Sequence, residues 1–277
     1  MTKSDSGAAA IDKVLDIAEL VAEAPEGMTA AEIAERTGLP RPTVYRLLAA
    51  LGRRGYLTTG PDRRIRIGLS FLRIGSRVHF VDALSEISRP LLWRTVKETG
   101  CSSAQIAVLN GSAAAFIERV TLPGTSFQLD RRPGDFVPLY CTALGKVLLA
   151  QLPPDEVSAM LELIELEKRT PATPVRAEAI LAELEQVRRQ GYAVSVAEYA
   201  DDVWSVAAAV SRPATGAPMA IGISEHMWRY SPQKMQAVAH QVADAAAELG
   251  TALVARPASR PDDENGDVGF DETEGVS

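Results

Sequence analysis

The sequence predicts an α+β protein with two domains joined by a helical linker, and three observations lead to this prediction. Two short helical segments, a tight turn and a hairpin follow one another between residues 29 and 67, which is the order of a winged helix-turn-helix. Segments with helical periodicity continue beyond the hairpin. In the second half, strand patterns that predict an antiparallel sheet are flanked by helical patterns at both ends. The 277 residues suit this organisation, because one domain commonly has about 100 to 150 residues.

Positive charge is concentrated in one part of an otherwise acidic chain. The protein has a formal net charge of −7 and a pI near 5.2, yet residues 36 to 73 contain nine arginines and one acidic residue, Asp62. Such a cluster of cations is typical of a surface that binds the phosphate backbone of nucleic acid. The alternative is a solvated basic face without a partner, which is the usual outcome for a run of charges.

The first domain begins with an amphipathic helix and a capped second helix. Thr29 and Glu32 form a capping box, in which each side chain satisfies a free amide of the other residue. The second helix therefore starts near Ala30 and ends near Thr37. Before it, a helix from Ile11 to Ala24 is predicted to pack through apolar residues that recur with helical spacing. These are Ile11, Val14, Leu15, Ile17, Ala18 and Val21.

A third helix follows the turn formed by residues 38 to 40, and its two faces differ. Its buried stripe is predicted from spacings of three and four, at Val44, Leu47, Leu48 and Leu51. The opposite face is polar and offers arginines, which can contact phosphates or guanine edges. Residues near the start of such a helix usually contact bases, so we expect base contacts from Arg41, Thr43, Tyr45 and Arg46. The candidate DNA-binding residues of the three helices are Thr29, Arg41, Pro42, Thr43, Tyr45, Arg46 and Arg53.

Residues 56 to 59 and 64 to 67 alternate polar and apolar side chains around Gly60-Pro61-Asp62, which predicts a hairpin, the wing. Arg64 and Arg66 share one face, where they are expected to lie along the sugar-phosphate backbone. Ile65 and Ile67 share the other face and are expected to pack below. Contacts of this type position a protein on DNA without selecting a sequence.

The second half of the chain is predicted from strand and helix patterns. A linker helix is expected over residues 71–88, with a restart at Pro90. We predict domain limits of 8–70 for the winged helix-turn-helix and 89–256 for the second domain. Its strands are predicted at Ser103 to Leu109, Ala114 to Val120, Tyr192 to Val196, Trp204 to Val210 and Ala217 to Ser224. Its helices are predicted from Thr142 through Leu152, from Thr173-Pro174 to Gly191, and from Ser231-Pro232 to Gly250.

The carboxyl-terminal residues 257–277 contain seven acidic residues and almost no apolar ones, so we predict a disordered acidic tail. One hypothesis is that this tail competes with DNA for the arginine face. The alternative is a solvated tail without a role, as is common for blocks of like charge.

The sequence lacks the patterns of several other protein classes. It has no run of about 20 apolar residues that would span a membrane and no signal-peptide pattern, so a cytoplasmic protein without a membrane partner is expected. Cys101 and Cys141 are expected to be buried and unpaired. Tyr140 occupies the position where a phosphate-binding loop needs glycine, and the three histidines are scattered. We therefore expect no catalytic residues, no metal site and no cofactor.

Several runs of the sequence resemble the IclR family of bacterial transcriptional regulators. These are IDKVLDIAEL, MTAAEIAERTGLPRPTVYRLLAALGRRGYL, RIRIGLSFLRIG, YCTALGKVLLAQLPPDEV and GYAVSVAEYADDVWSVAAAV. The resemblance covers Ile11 to about Leu253. It implies that the second domain is a GAF-like domain that binds a small effector, often a carboxylic or aromatic acid, and helps dimers assemble into tetramers.

The resemblance also implies where the effector would bind. The family's pocket falls on Thr142, Ala143, Leu144, Gly145, Ser195, Ser205, Gly222 and Ser224. Trp204 is added as an aromatic candidate that would make the pocket more apolar, with ordinary core packing as the alternative. The chain departs from many members after GYAV, where Ser195-Val196-Ala197 replaces acidic residues, and in the run from Gly222 to Trp228.

Three hypotheses follow. The first is a sequence-specific transcriptional regulator, expected to be a repressor, that binds a palindromic operator as a homodimer or a dimer of dimers and responds to an organic or aromatic acid. The second is an architectural DNA-binding protein that has no effector. The third is an enzyme with an appended DNA-binding domain, which no motif supports.

Overall fold

The computed structural model describes residues 3–76, 79–125, 132–211 and 217–255. The packing of the chain divides it into two compact units, Met1–His79 and Phe80–Ser277. The predicted tail over 257–277 and the linker position Val78 lie outside the described residues.

The first unit is a winged helix-turn-helix, as predicted. Its elements are α1 (Lys3–Ala22), α2 (Ala30–Thr37), α3 (Arg41–Arg53), β1 (Leu57–Thr59), β2 (Ile65–Ile67) and α4 (Leu69–Gly75). The wing strands β1 and β2 are antiparallel, with Leu57 opposite Ile67. Met28 forms a single-residue antiparallel bridge with β2, since its amide and its carbonyl both hydrogen-bond to the backbone of Ile65. This bridge holds the wing against the segment just before α2.

The start and the end of α2 are set by the capping box and the glycine turn that the sequence predicts. The Glu32 amide donates to the Thr29 hydroxyl at 3.2 Å, and the Thr29 amide donates to the Glu32 carboxylate at 2.7 Å. Gly38 ends the helix in the left-handed conformation, with a φ of 66°. A side chain is disfavoured in that conformation, so glycine suits the tight turn into α3.

The core of this unit contains most of the predicted stripe residues, but not all of them. Val44, Leu48 and Leu51 of α3 are buried with Ile17 and Val21 of α1. The inward face predicted for α1 is wrong at two positions, because Ile11 is 61% and Leu15 is 49% exposed. Helix α1 packs on this core from Val14 onward, so Ile11 lies before the contact and Leu15 faces away from it. Ile67 is also exposed, whereas Ile65 packs below the wing as predicted.

The predicted linker region forms two described helices. Helix α4 has no buried residue, and its apolar side chains Leu69, Leu72 and Ile74 are exposed. Helix α5 spans His79–Thr99 and contains Pro90 in its interior. The predicted restart at Pro90 is therefore wrong. Leu91 and Leu92 are buried directly after the proline, and this packing favours one continuous helix despite the lost backbone hydrogen bond.

The second unit is built on one antiparallel sheet of six strands in the order β5-β4-β3-β8-β7-β6. The strands are β3 (Ser103–Asn110), β4 (Ala113–Thr121), β5 (Phe136–Pro138), β6 (Tyr192–Val196), β7 (Val203–Ala209) and β8 (Met219–His226). The helices are α5, α6 (Ala143–Ala150), α7 (Pro154–Leu163), α8 (Ala177–Gln190) and α9 (Pro232–Ala255), and a short 3-10 helix spans Met227–Arg229. The α+β class with helices flanking the sheet is confirmed.

The two faces of this sheet differ in side-chain size. The face that packs on α5 and α9 carries large residues such as Trp204 and Ile221. The face that packs on α6 and α8 carries alanines at Ala107, Ala193, Ala207 and Ala220. Small side chains let α6 approach the strands closely, and this placement brings the start of α6 over the ends of β6, β7 and β8.

Three predicted helix ends differ from the structure, and the first of them is the start of α1, which lies at Lys3 rather than at Ile11. Helix α8 begins at Ala177 rather than at Thr173, because the Thr173 hydroxyl accepts from the Thr170 amide at 2.8 Å and donates to the Glu198 carbonyl at 2.6 Å. Helix α9 continues through Gly250. A Cβ at that position would lie 2.6 Å from the carbonyl oxygen of Ser211, so the glycine permits close packing and does not end the helix.

Candidate nucleic-acid interface and ligand cavity

Helix α3 presents an exposed face with the composition of a nucleic-acid contact. Arg41, Pro42, Arg46 and Arg53 are exposed, and Thr43 is half-buried. Tyr45 is 60% exposed, although aromatic rings usually lie against other protein atoms. Guanidinium groups beside an exposed ring can contact phosphates and base edges without displacing any part of the core.

Most arginines of the basic segment have no carboxylate partner among the described residues. Arg36 lies 3.6 Å from Glu23. Arg64 lies near Glu32, and Arg66 pairs with Asp62. The other six of the nine have no ion pair within the described ranges and are Arg41, Arg46, Arg53, Arg54, Arg63 and Arg73. This unit therefore keeps an excess of unneutralised positive charge around α3 and the wing.

The predicted wing arginines are engaged within the protein. Arg64 Nη1 donates to the Gly27 carbonyl at 2.6 Å and lies 3.6 Å from the Glu32 carboxylate. Arg66 pairs with Asp62 at 2.6 Å, and this guanidinium holds the pKa of the Asp62 carboxyl well below its usual range. Both residues stabilise the wing hairpin. The expectation that both side chains also lie along the sugar-phosphate backbone stays a prediction, since each keeps more than a third of its surface exposed.

Arg63 is the wing cation that sequence reasoning missed. It is exposed at the tip of the hairpin and adopts a φ of 59°, which is uncommon for a residue other than glycine. The Asp62 carboxylate accepts the Arg64 amide at 3.1 Å, and the Gly60 amide bonds to the Arg64 carbonyl, so the turn around Arg63 is well supported. The sequence feature that could have indicated Arg63 was its position between the turn residues and the first residue of the second strand.

Thr29 is used within the protein as well. Its hydroxyl also donates to the Glu32 carboxylate, at 3.1 Å, and these bonds lower the pKa of Glu32. Thr29 thus positions the start of α2.

The second unit contains a cavity between the start of α6 and the sheet. Its volume is about 40 Å³, which is room for a few water molecules. None of the described residues that line it carries a charged side chain. They are Gln105, Phe116, Val137, Thr142, Ala143, Leu144, Ser195, Tyr199, Val203, Ser205, Val206, Ile223 and Ser224.

Three serines form a row across one end of this cavity. Ser195, Ser205 and Ser224 lie directly opposite one another on β6, β7 and β8. The Ser195 hydroxyl donates to the Cys141 carbonyl at 3.1 Å, and Ser224 Oγ accepts from Gln105 Nε2 at 2.7 Å. The row gives an otherwise apolar cavity a strip of hydroxyl groups.

The first turn of α6 supplies backbone donors to the same cavity. The Thr142 hydroxyl accepts from the Gly145 amide at 3.0 Å and donates to the Pro138 carbonyl at 2.7 Å. The first amides of an α-helix have no acceptor within the helix. Those of Ala143 and Leu144, both of which line the cavity, therefore remain available to an acceptor.

The structure brings together six of the nine residues that the resemblance and the aromatic pattern indicated. Thr142, Ala143, Leu144, Ser195, Ser205 and Ser224 line the cavity.

Gly145, Gly222 and Trp204 do not line it. A Cβ at Gly145 would overlap the backbone of Leu139, and a Cβ at Gly222 would lie 3.1 Å from Leu144 Cδ2. These glycines therefore permit close packing. Trp204 is fully buried on the other face of the sheet, where the centroid of its ring lies 5.7 Å from that of the Tyr230 ring. Core packing is the correct interpretation for Trp204.

Sequence reasoning missed the cavity residues that come from outside the quoted motifs. Phe116 of β4 and Val137 of β5 form apolar wall, and Tyr199 comes from the loop after β6. Gln105 is the most informative omission, because its side chain is 3% exposed and its Oε1 has no partner among the described residues. A glutamine inside the strand pattern SAQIAVLN was the available signal.

The loop that carries Tyr199 is anchored by buried polar contacts. Its Glu198 pairs at 2.8 Å with Lys146 of α6, which is fully buried and also contacts Glu183 at 2.6 Å. The Thr170 hydroxyl donates to the Ala197 carbonyl at 2.6 Å. Burial raises the pKa of Glu198, although Lys146 opposes the shift. We call residues 197–202 the pocket loop.

The cysteines are buried and show no feature of a reactive thiol. Cys101 and Cys141 are free, and burial raises the pKa of Cys141 to about 11. Within the described residues, no three His, Cys, Asp or Glu side chains are placed to hold a metal ion. No helix in the described part of the chain is long and apolar enough to cross a membrane.

A winged helix-turn-helix with unpaired arginines, followed by an α+β unit with an internal cavity, defines the class of helix-turn-helix transcriptional regulators. The chain belongs to the IclR family of this class. Residues 10–61 match the family model described as IclR helix-turn-helix domain, and residues 79–251 match that of the bacterial transcriptional regulator IclR C-terminal domain.

Curated relatives of this family cover most of the chain. The transcriptional regulator BhcR of Paracoccus denitrificans is 31% identical over 92% of this chain and 90% of its own length. The transcriptional repressor AllR of Salmonella typhimurium is 27% identical over 92% of this chain and 93% of its own length. The family contains regulators named as repressors.

Solved structures share the fold. The IclR protein of Thermotoga maritima superimposes with a TM-score of 0.69 and 25% identity, covering 88% of this chain and 98% of that one. An IclR homolog from Microbacterium hydrocarbonoxydans, complexed with 4-hydroxybenzoate, gives a TM-score of 0.74 at 22% identity and covers 89% and 100%.

Proposed function

We propose that the protein is a sequence-specific transcriptional regulator whose affinity for its operator changes when a small, singly charged organic acid binds. The observation that carries the DNA half of the proposal is the exposed face of α3, on which Arg41, Arg46 and Arg53 have no partner among the described residues. Cations without internal partners can neutralise phosphates and release counterions at no cost to the fold.

Base contacts are assigned to the start of α3 and phosphate contacts to its surroundings. Arg41, Thr43, Tyr45 and Arg46 lie in the first two turns, which usually enter the major groove. Arg53 and Arg63 are assigned to the phosphate backbone, where they add affinity for any sequence. Arg64 and Arg66 hold the wing in shape through their internal partners, and they are proposed to contact the phosphate backbone with the exposed part of each guanidinium.

The binding unit is proposed to be a homodimer or a dimer of dimers. The first unit exposes apolar side chains that a second copy would cover, at Ile11, Leu15, Leu69, Leu72 and Ile74. Two copies related by a twofold axis bind two half-sites about one helical turn or its multiples apart, so the operator should be a palindrome.

The cavity supports the effector half of the proposal. A carboxylate at the start of α6 would meet the amides of Ala143 and Leu144 and the hydroxyl groups of the serine row. The apolar wall from Phe116 and Val137 suits a hydrocarbon or aromatic body. With no cationic side chain in the lining, a second negative charge would lose its hydration without compensation. The compound that the Microbacterium hydrocarbonoxydans relative holds, 4-hydroxybenzoate, is an acid of this kind.

The effector acts by its differential affinity for two arrangements of the protein on and off DNA. Repression is the proposed mode, in line with relatives that are named repressors. A cavity of about 40 Å³ must widen to admit such an acid, so binding is expected to move the pocket loop.

Two experiments test the proposal. Selection of random DNA duplexes on the full-length protein should enrich a palindrome, and failure to enrich any sequence would refute sequence-specific binding. Fluorescence anisotropy on the enriched duplex, with and without a panel of singly charged acids, should then show an acid that changes operator affinity. A panel of doubly charged acids serves as the matched control and should have no effect.

The small cavity favours a second candidate, an architectural DNA-binding protein without an effector. It predicts that no acid raises the melting temperature of the protein and that the selected duplexes share no consensus sequence. Either an enriched palindrome or an acid-dependent change in affinity would rule it out.

A further inference from the structure

Gln105 is a buried amide with one unsatisfied end. It lies on β3 opposite Gly222 of β8, and its side chain is 3% exposed. Its Nε2 donates to Ser224 Oγ at 2.7 Å, while Oε1 accepts no hydrogen bond from any described residue. Most buried polar side-chain atoms in folded proteins have a partner, so this orphan acceptor points to a donor that arrives from outside the chain.

The position of Gln105 shows where such a donor would come from. Gln105 lines the cavity together with Ser224 and Thr142, and it faces the space that the effector is proposed to occupy. Gly222, its neighbour across the strands, has no side chain that could reach Oε1. Among the described residues that line the cavity, Gln105 is thus the one with a buried side-chain atom that makes no hydrogen bond to the described protein.

We infer that Gln105 selects effectors that carry a hydrogen-bond donor, a hydroxyl or amino group, in addition to their acidic group. The inference rests on the proposed effector cavity. An acid without this donor would displace water from Oε1 and leave the acceptor buried and unpaired, which weakens binding. Sites that hydrogen-bond a ligand hydroxyl reject analogues lacking it far more strongly than apolar pockets reject a missing methylene.

Matched pairs of acids test the inference by isothermal titration calorimetry on the full-length protein. The pairs are 4-hydroxybenzoate with benzoate, 3-hydroxybenzoate with benzoate, and lactate with propionate. The hydroxylated member of at least one pair should bind about tenfold or more tightly than its partner. A further compound, 4-cyanobenzoate, offers an acceptor where 4-hydroxybenzoate offers a donor, and it should bind no better than benzoate.

Variants assign the preference to Gln105. In Gln105→Met, which keeps the length of the side chain, the two members of the pair should bind with nearly equal affinity. Gln105→Glu keeps an acceptor and should retain the preference, although its negative charge weakens the binding of both acids. Ser205→Ala alters another polar residue of the cavity and should leave the ratio between the two members unchanged.

The outcomes separate the two levels of the proposal. If both members of every pair bind the wild-type protein equally, or if 4-cyanobenzoate binds most tightly, the role of Gln105 is refuted while the effector cavity stands. The same holds if Gln105→Met keeps the wild-type ratio. If no acid binds, the effector proposal itself fails. Where one variant does not fold, the wild-type ratio still decides whether the cavity prefers a donor-bearing acid, and the other Gln105 variant tests the assignment to this residue.

Discussion

The two candidate binding regions use polar groups in opposite ways. The face around α3 carries full charges, but the arginines stay exposed and largely unpaired. The cavity of the second unit carries hydroxyl groups, backbone amides and one carboxamide, without a charged side chain among the described residues that line it. An exposed cation keeps its hydration, whereas a buried one loses it unless it is paired. Unpaired charged side chains are therefore tolerated on an exposed DNA-binding surface, whereas they would destabilise an enclosed pocket.

Lys146 is the test of the buried side of this comparison, because its charge is fully buried and needs both of its carboxylate partners. Lys146→Met removes the cation and leaves Glu198 without compensation. We expect a loss of about 3 to 5 kcal/mol in the free energy of unfolding, measured by urea denaturation at neutral pH. The exposed lysine Lys97 is the matched control, and Lys97→Met should change stability by less than about 0.5 kcal/mol. Equal effects of both substitutions would contradict the assigned importance of burial.

Arg46→Ala tests the exposed side. The side chain has no internal partner in the described structure, so stability should be unchanged while operator binding weakens. A base contact is worth about 1 to 3 kcal/mol, which corresponds to a loss of affinity of roughly fivefold to 150-fold and a relaxed preference at one operator position. Anisotropy on the operator and on single-base variants measures both effects. A loss that is equal for every DNA sequence would contradict a base-contacting role.

Glu198 gives a pH dependence with a definite sign. Burial raises the pKa of this carboxyl above 4.5, so the folded protein holds the proton more tightly than the unfolded chain does. Between pH 4.5 and the raised pKa, stability should therefore fall as the pH rises. In Glu198→Gln the slope of stability against pH should be smaller over the same pH range, as measured by thermal unfolding. An unchanged slope would mean that other groups control the acid range.

Arg63→Ala is expected to have the smallest effect. A wing-tip arginine on the phosphate backbone should weaken binding to specific and non-specific DNA alike, and should reduce the slope of log affinity against log salt by about 1. Arg66→Ala provides the contrast, because loss of its pair with Asp62 should loosen the wing. A salt slope that is unchanged in Arg63→Ala would remove Arg63 from the proposed interface.

The sequence predicted the first unit well because its signals are local. The capping box of Thr29 and Glu32, the left-handed Gly38 and the spacing of Val44, Leu48 and Leu51 act within one or two turns of helix. The wrong positions depend on distant packing. Gly250 is a glycine because Ser211 approaches it, and Pro90 stays inside a helix because its neighbours are buried.

The cavity was predicted in part, and the errors have two physical origins. Trp204 and Ser205 are consecutive on one strand, so their side chains point to opposite faces of the sheet and cannot both enter one cavity. Gln105 and Phe116 could not be assigned, because nothing local shows that β3 and β4 lie beside the start of α6. Only the tertiary arrangement of the sheet brings these residues together.

The ion pair between Lys146 and Glu198 has a consequence for the speed of ligand exchange. Lys146 is one turn after Thr142 on α6, and Glu198 precedes Tyr199, so a single short helix contributes to the cavity and also holds the loop that lines it. If an acid enters through this loop, a buried ion pair must separate first. Association would then be slow and would level off at high acid concentration, and a bound acid would have a long residence time.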